Sequence, residues 1–396
     1  MAVSQPTYDV AIVGAGIVGS ALAYFLSTSE DGKKVVLIDR SFDPLTGSTG
    51  YAPGFVGQYN ESNVLTQLAI DTVKEYTKIP GGIDIVGGLE IATCQDGVRR
   101  LKARCARAQE AGLAAKMISP EEAVNLAPNL VKGGNEAALH FAGDGAANAI
   151  GITAFYQKEA QANGVQLLQA DISQISQVDG RVQGVMISSG FVGAKTVVLA
   201  TGIWTSALCK PDIPIPIVPV AHPYMYSEPH EPNPQKAPWV RWPEYHVYAR
   251  DHGTFYGLGS YNHQPIAQEP RKSAHGGWIE QFDPTLDEAL KFVPEKTGLV
   301  PAKKFNGIFS MTPDNMPLVG SIPSTAGLYM AAAVWVTHAA GSAKFLARLM
   351  NEEAVDENIK TALNPTRFRG QDIAQLKQES LDGYNSIYKT HENVEQ

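Results

Sequence analysis

Two sets of residues in this sequence have types and spacings suited to chemistry. The first is Gly14-Ala15-Gly16-Ile17-Val18-Gly19, followed 20 residues after its last glycine by Asp39. Glycines at this spacing permit a tight turn at Gly14, close approach of a pyrophosphate at Gly16 and close helix packing at Gly19. Asp39 stands where a carboxylate would accept hydrogen bonds from a ribose 2′-hydroxyl. The second set is a stretch rich in histidine and tyrosine, from His222 to His263. If His246, Tyr248 and Arg250 share a strand, a period of two puts them on one face. That places a phenol beside a guanidinium able to grip a carboxylate with two hydrogen bonds. Arg241 is an alternative anchor, and Arg250 reads equally well as a rim or domain-bridging arginine. For most of these aromatics, packing within a sheet is the simpler reading.

Positioning such residues requires particular elements. The glycine turn is flanked by a buried strand (Asp9–Val13), a helix, and a second strand (Val35–Ile38) ending at Asp39. The amino end of that helix offers unpaired N–H groups and partial positive charge to a phosphate, so the chain reads as a dinucleotide binder. Further on, a helical pattern runs from about Ser62 to Thr77, and Ser119-Pro120-Glu121-Glu122 spells a capping box. Ile152–Ala162 is helical in pattern, and Val165–Leu168, Ile172–Ser176, Val182–Ser188 and Thr196–Leu199 read as strands. The last of these runs into Ala200-Thr201-Gly202, a second small-residue turn that lets a cofactor approach. Prolines between Pro211 and Pro219 interleave with Ile213, Ile215 and Ile217, an extended segment crossing into a second domain. Residues 220–300 then suit a sheet roofing an organic-substrate pocket. Leu328–Ala333 is strand-like and leads to His338-Ala339-Ala340-Gly341, where a helix begins and offers a second amino end to negative charge. The last forty or so residues are polar, partly helical and without recognisable chemistry.

At 396 residues the chain suggests about two domains. A net charge of −8 argues against nucleic acid as a partner. The basic cluster Arg99, Arg100, Lys102, Arg104 and Arg107 overlies Val98, Leu101, Cys105 and Ala108 at helical spacing, so it reads as a solvated helix face. Three widely spaced cysteines carry no metal-ligand spacing and favour a reducing compartment. The apolar run Val10–Leu26 lacks a basic leader and a cleavage motif, so neither a membrane span nor a signal peptide is expected, and the expected location is cytoplasmic.

Several separated motifs occur together in a recognisable order. They are Gly14–Gly19, Gly47-Ser48-Thr49-Gly50-Tyr51-Ala52-Pro53-Gly54, Gly87-Gly88-Leu89-Glu90, Ala221-His222-Pro223-Tyr224, and Arg250-Asp251-His252-Gly253 leading to Gly259-Ser260-Tyr261. Phe305–Ser310, Thr312-Pro313-Asp314 through Pro317 to Gly320, and Val334-Trp335-Val336-Thr337-His338 complete the set. This order resembles the D-amino-acid oxidase superfamily, and within it the dimethylglycine oxidase/dehydrogenase and sarcosine dehydrogenase branch, over roughly residues 8–390. The resemblance implies an α/β plus α+β fold: a discontinuous Rossmann-like FAD-binding domain (residues 1–80, 140–215 and 301–370), an antiparallel-sheet substrate domain (81–139 and 216–300) and a C-terminal extension (371–396).

It also implies FAD as cofactor and hydride transfer from a secondary or tertiary amine, such as dimethylglycine, sarcosine or a related larger amine, to flavin N5. The iminium product would be hydrolysed or trapped; oxidative cyclisation of a larger N-alkyl amine stays open, as does a non-catalytic flavin-binding protein. An NAD(P)-dependent dehydrogenase is the competing class that the glycine turn alone would allow. Catalytic roles fall on His222, which by itself reads as a satisfied core histidine, and on Tyr248, Arg250 and His338. Cofactor contacts fall on Gly14, Gly16, Gly19, Asp39, Arg40, Ser48, Thr49, Tyr51, Ala52, Gly54, Ile172, Ala200, Gly202, Trp204, Trp335, Val336, Thr337 and His338, with no metal. Asp314 reads as fixing the turn at Pro313, and Trp335 as either lining the site or packing. Relatives attach the flavin through a histidine where this chain has Tyr51, and monomeric sarcosine oxidases through a cysteine; no cysteine lies between Cys209 and Gln396, so non-covalent FAD is expected. Either O2 or an electron-transfer flavoprotein would take the electrons, and no fused folate domain is expected.

Overall fold

The computed structural model describes residues 8–29, 32–209 and 214–387. Pro211 and Ile213 of the proline-rich crossing, and residues 388–396 of the expected extension, lie outside the described residues. The first sheet has a parallel centre ordered Leu328–Ala332, Gly190–Leu199, Tyr8–Val13, Val35–Asp39 and Gln166–Gln169. Ile172–Val178 and Arg181–Ile187 form an antiparallel hairpin on the first part of Gly190–Leu199, and Leu318–Ser321 pairs antiparallel with Leu328–Ala332. Its inner strands are apolar without alternation because both faces are covered. Val10, Ile12, Val35 and Leu37 point into a core shared with the helices Ile17–Ser27, Ala149–Ala162 and Ala339–Met350. Ala11, Val13, Val36 and Ile38 point the other way, into a core with Val185, Ile215, Phe368 and Leu376. The period of two thus distributes one strand between two hydrophobic cores.

The second sheet has nine strands, ordered His275–Gly276, Pro301–Met311, Val218–Ser227, Tyr256–Ser260, Val247–Asp251, Trp239–Trp242, Gly88–Ala92, Ala137–Phe141 and Ala115–Ile118. It is the expected antiparallel sheet, with one parallel junction where Trp239–Trp242 runs alongside Gly88–Ala92. The chain leaves this sheet after residue 141 and returns at residue 218, which permits either strand direction at that seam. A domain boundary at residue 301 is also corrected: Pro301–Met311 pairs along Val218–Ser227 and belongs to the second sheet.

His246 does not share the strand of Tyr248 and Arg250. It adopts a left-handed conformation (φ 55°) that closes the turn Pro243–Tyr245, and the strand begins one residue later at Val247. The basic helix Gln95–Glu110 is corrected as well: Arg99 and Lys102 are exposed, but Arg104 is buried and Arg100 and Arg107 are half-buried. No helix among the described residues is long and apolar enough to cross a membrane.

The tightest constraint on the first sheet is at its glycine turn. Gly14 has φ +104°, and a Cβ on Gly19 would stand 1.9 Å from the Gly14 carbonyl oxygen. Gly19→Ala should therefore force the helix off the sheet and cost about 1–3 kcal/mol, read as a lower urea midpoint with an unchanged slope. A wild-type midpoint would contradict this packing.

Candidate active site

A cavity of about 690 Å³ lies between the two sheets, within the range typical of cofactor and substrate pockets. At one end the helix Ile17–Ser27 begins at Gly16 with no side-chain cap. The Thr49 hydroxyl oxygen accepts the Ile17 N–H at 3.1 Å, leaving its own hydrogen to donate. Asp39 lines the cavity with its carboxylate fixed by backbone: Oδ2 accepts the Ala15 N–H at 2.6 Å and Oδ1 the Ser41 N–H at 3.1 Å. Arg40 lies over the Trp204 ring at 4.9 Å and pairs with Asp171 at 3.4 Å. Ser48 donates to the Ile308 carbonyl (3.0 Å), and the Tyr51 hydroxyl is 3.1 Å from that of Ser273. Ala52, Gly54, Ile172, Ala200 and Gly202 also face the cavity, whereas Gly19 does not.

Trp335, Val336, Thr337 and His338 line the cavity where the helix Ala339–Met350 begins. Thr337 donates to the Phe55 carbonyl (3.0 Å), Val336 accepts from the Tyr76 hydroxyl (2.8 Å), and Trp335 both lines the cavity and packs edge-on against Phe309. Burial pushes His338 down to about 4, so its ring is neutral near pH 7. Asp314 fixes its turn by accepting the Met316 N–H and forms a two-pronged pair with Arg367, both contacts at 2.8 Å.

The opposite wall is one face of the second sheet. Strand register aligns Glu90, Arg241, Tyr248, Gly259, Tyr224 and Phe305 in a single row across six strands. Directly paired residues share a face, and all of these except Gly259 line the cavity. A Cβ at Gly259 would come within 2.4 Å of the Tyr248 ring, so the missing side chain lets that ring lie across the strand. His222 is two residues from Tyr224 and faces the same way. Its Nε2 is 2.6 Å from the Tyr248 hydroxyl, and its backbone N–H is held by Asn306 at 3.0 Å. Burial holds His222 well below the ordinary histidine range, with nearby His263 adding to the effect.

Arg250 is corrected as a pocket residue. It shares the Tyr248 face but sits further along the strand, where the Pro53–Gly54 loop covers it. There it donates to the Pro53 carbonyl and lies over the Trp239 ring at 5.2 Å, and it does not line the cavity. Arg241 does, with its side chain 12% exposed and stacked over Phe55 at 4.8 Å. It ends a ladder that sequence spacing did not reveal. Arg107 meets Glu61 (3.3 Å), Glu61 meets Arg104 (2.7 Å), Arg104 meets Glu90 (2.9 Å), and Glu90 meets Arg241. Burial by itself would raise the Glu90 carboxyl, but the Arg104 and Arg241 guanidinia outweigh it and hold the group below its ordinary value. The one signal in the sequence was an acidic residue inside an otherwise apolar strand, Gly88–Ala92. Among the described residues, no group of three or more histidine, cysteine, aspartate or glutamate side chains could hold a metal.

Residues 9–349 match the family described as FAD dependent oxidoreductase. Human mitochondrial sarcosine dehydrogenase is 28% identical over 347 residues, covering 82% of this chain and 37% of that protein. Rat mitochondrial dimethylglycine dehydrogenase is 24% identical, covering 96% of this chain and 47% of its own length. The chain thus spans less than half the length of these curated relatives. In fold it is similar to the crystal structure of L-proline dehydrogenase from P. horikoshii, with a TM-score of 0.83 at 22% identity over 93% of this chain and 99% of that one.

Asp144 stands behind the ladder, fully buried, and burial pushes it up to about 7 although Oδ1 accepts the Gln58 N–H at 2.9 Å. A folded-state value above the unfolded one means that the folded protein binds more protons between pH 3.8 and about 7. Asp144 should therefore lower stability as pH rises through that window, by up to about 4 kcal/mol. Asp144→Asn, which keeps the acceptor, should flatten the dependence of Tm on pH between pH 5 and 7. An unchanged slope would refute this assignment.

Proposed function

The chain belongs to the FAD dependent oxidoreductase family, and from that premise we propose that it oxidises a secondary or tertiary amine carrying a carboxylate, an N-methyl amino acid or a close relative. The residues present fit the cofactor. An uncapped helix amino end and the Thr49 hydroxyl suit the pyrophosphate. Asp39, its carboxylate held by two backbone N–H groups, suits a ribose hydroxyl. The amino end of the helix Ala339–Met350 suits an anionic ring. When bound, FAD supplies a two-electron acceptor for the hydride of the carbon next to nitrogen. We read it as held by contacts alone, since the position of the linking histidine in relatives is Tyr51, engaged with Ser273; acid precipitation should then leave the flavin in solution rather than on the pellet.

One observation carries the reading: Tyr248 and His222, 2.6 Å apart, face the cavity in line with Arg241. Arg241 brings a guanidinium to the cavity beside Tyr248, and a guanidinium suits an anionic group. Arg241 would hold the substrate carboxylate. That anchoring sets the amine beside the Tyr248 oxygen, and orientation of this kind supplies several kcal/mol of barrier reduction. An amine reaches the site protonated at neutral pH and must lose its N–H proton before its nitrogen can assist hydride departure. Neutral His222, acting through the Tyr248 hydroxyl, takes that proton.

Anaerobic mixing with dimethylglycine, sarcosine, other N-methyl amino acids and cyclic amines should bleach the flavin absorbance with at least one of them. His222→Ala should slow bleaching by about two orders of magnitude, and Arg241→Gln should raise KM far more than it lowers kcat. A flavin that stays oxidised with the whole panel would exclude the proposed chemistry, and unchanged kinetics in His222→Ala would remove that histidine from it.

A further inference from the structure

Behind the His222–Tyr248 pair, two residues outside the cavity continue the line of contacts. Tyr384 comes from the turn Gly383–Ser386 and is fully buried, its hydroxyl 2.6 Å from His222 Nδ1 and 2.9 Å from His263 Nε2. His263 is half-buried, and its Nδ1 lies 2.9 Å from the Gln264 carbonyl oxygen. Neither Tyr384 nor His263 lines the cavity. We propose that Tyr248, His222, Tyr384 and His263 form a proton path of fixed polarity, carrying the amine proton from the cavity to the half-exposed His263. The proposal rests on the amine reading above for what loads the path, but not for its polarity.

The polarity follows from donor counting. The Gln264 carbonyl can only accept, so His263 Nδ1 carries a hydrogen. Burial keeps His263 below its ordinary value, partly offset by that backbone bond, so its ring is neutral and Nε2 is an acceptor. Tyr384 must then donate its one hydrogen to His263, which leaves His222 Nδ1–H to donate to the Tyr384 oxygen. His222 is neutral too, so its Nε2 accepts from the Tyr248 hydroxyl. The rings packed against His222 are those of Tyr248, Tyr261, Phe309 and Tyr384. Such surroundings do not stabilise an imidazolium, so a proton arriving at His222 is passed on rather than stored. Asn385 fastens the end of the path by donating to the carbonyls of His263, at 2.9 Å, and Tyr261.

Proton transfer along this line balances. The substrate N–H goes to the Tyr248 oxygen as the Tyr248 O–H goes to His222 Nε2. The His222 Nδ1–H goes to the Tyr384 oxygen, and the Tyr384 O–H to His263 Nε2. One proton leaves the amine, one arrives on His263, and the three groups between them stay neutral. A proton moving in the reverse sense restores the starting polarity. Tyr384 and His263 are positioning and relay residues acting through His222, not groups that touch substrate.

The test begins with holoprotein labelled with 15N-histidine, read by long-range 1H–15N correlation spectra that report tautomers directly, with His222→Gln and His263→Gln used for assignment. Neutral Nδ1–H rings are expected at both His222 and His263, and an Nε2–H ring at either would overturn the path. Tyr384→Phe keeps the ring and removes the oxygen; it should retain flavin content and near-ultraviolet circular dichroism while His222 loses its single tautomer. In stopped flow, with whichever panel amine reduces the flavin fastest, Tyr384→Phe and His263→Ala should each be about tenfold slower or more. Added imidazole should restore His263→Ala and leave Tyr384→Phe slow. Wild-type rates in both variants, or a slow His263→Ala that imidazole does not speed, would overturn the relay. If no amine reduces the flavin, the substrate reading fails by itself and the tautomer spectra still decide the polarity of the path.

Discussion

A histidine buried to 2% exposure needs partners for both ring nitrogens within the protein, and His222 has two phenols, each at 2.6 Å. Much of the second sheet serves this pair of contacts. Strand register sets Tyr248 and Tyr224 in one row, and the absent side chain at Gly259 lets the Tyr248 ring tilt across its neighbour. Asn306, itself buried, fixes the His222 backbone from the adjacent strand. Unmet polar groups cost about 1–3 kcal/mol each in such a place, so removing any one partner unsettles the others. The same burial that constrains the geometry keeps the imidazole neutral, which is the state a proton acceptor requires.

Charge in the cavity wall obeys the same rule in a different form. A guanidinium or carboxylate taken out of water is expensive unless paired, and the wall pairs five of them in alternation from Arg107 to Arg241. Pairing the charges in sequence lets Arg104 be buried and Arg241 reach the cavity without either being isolated.

The first sheet was legible in the sequence because its constraints are local. The glycine turn, the strand on either side and Asp39 fall within 32 consecutive residues, Tyr8 to Asp39. The Ser119 capping box forms as its spacing requires. His222 and Tyr248 were named through motif resemblance, and both face the cavity. Period-two reasoning failed for His246, where a left-handed residue ends the preceding turn before the strand starts. It failed differently for Arg250: the face was right, but a loop more than 190 residues away in the chain covers that part of it. Arg104 was read as solvated from its neighbours on the helix, yet its partners Glu61 and Glu90 belong to other elements.

These failures share a cause in chain statistics. The entropy of closing a loop grows only with the logarithm of its length. The Arg104–Glu61 contact spans 43 residues and the His222–Tyr384 contact 162, and the longer closure costs only roughly 1 kcal/mol more. One buried hydrogen bond or a few buried methylenes offset that difference. A fold of this size can therefore recruit site groups from any distance along the chain at nearly the same cost. Tyr384 shows the consequence, since it comes from a polar, weakly patterned segment with no motif to mark it. Its membership in the site is decided by where the helix Ile373–Asp382 docks: Leu376 packs into the core beneath the first sheet, and the Ser380 hydroxyl donates to the Pro216 carbonyl at 2.8 Å. The residue that follows this docked helix to the back of His222 is placed by apolar burial, which is why its contact is visible only in three dimensions.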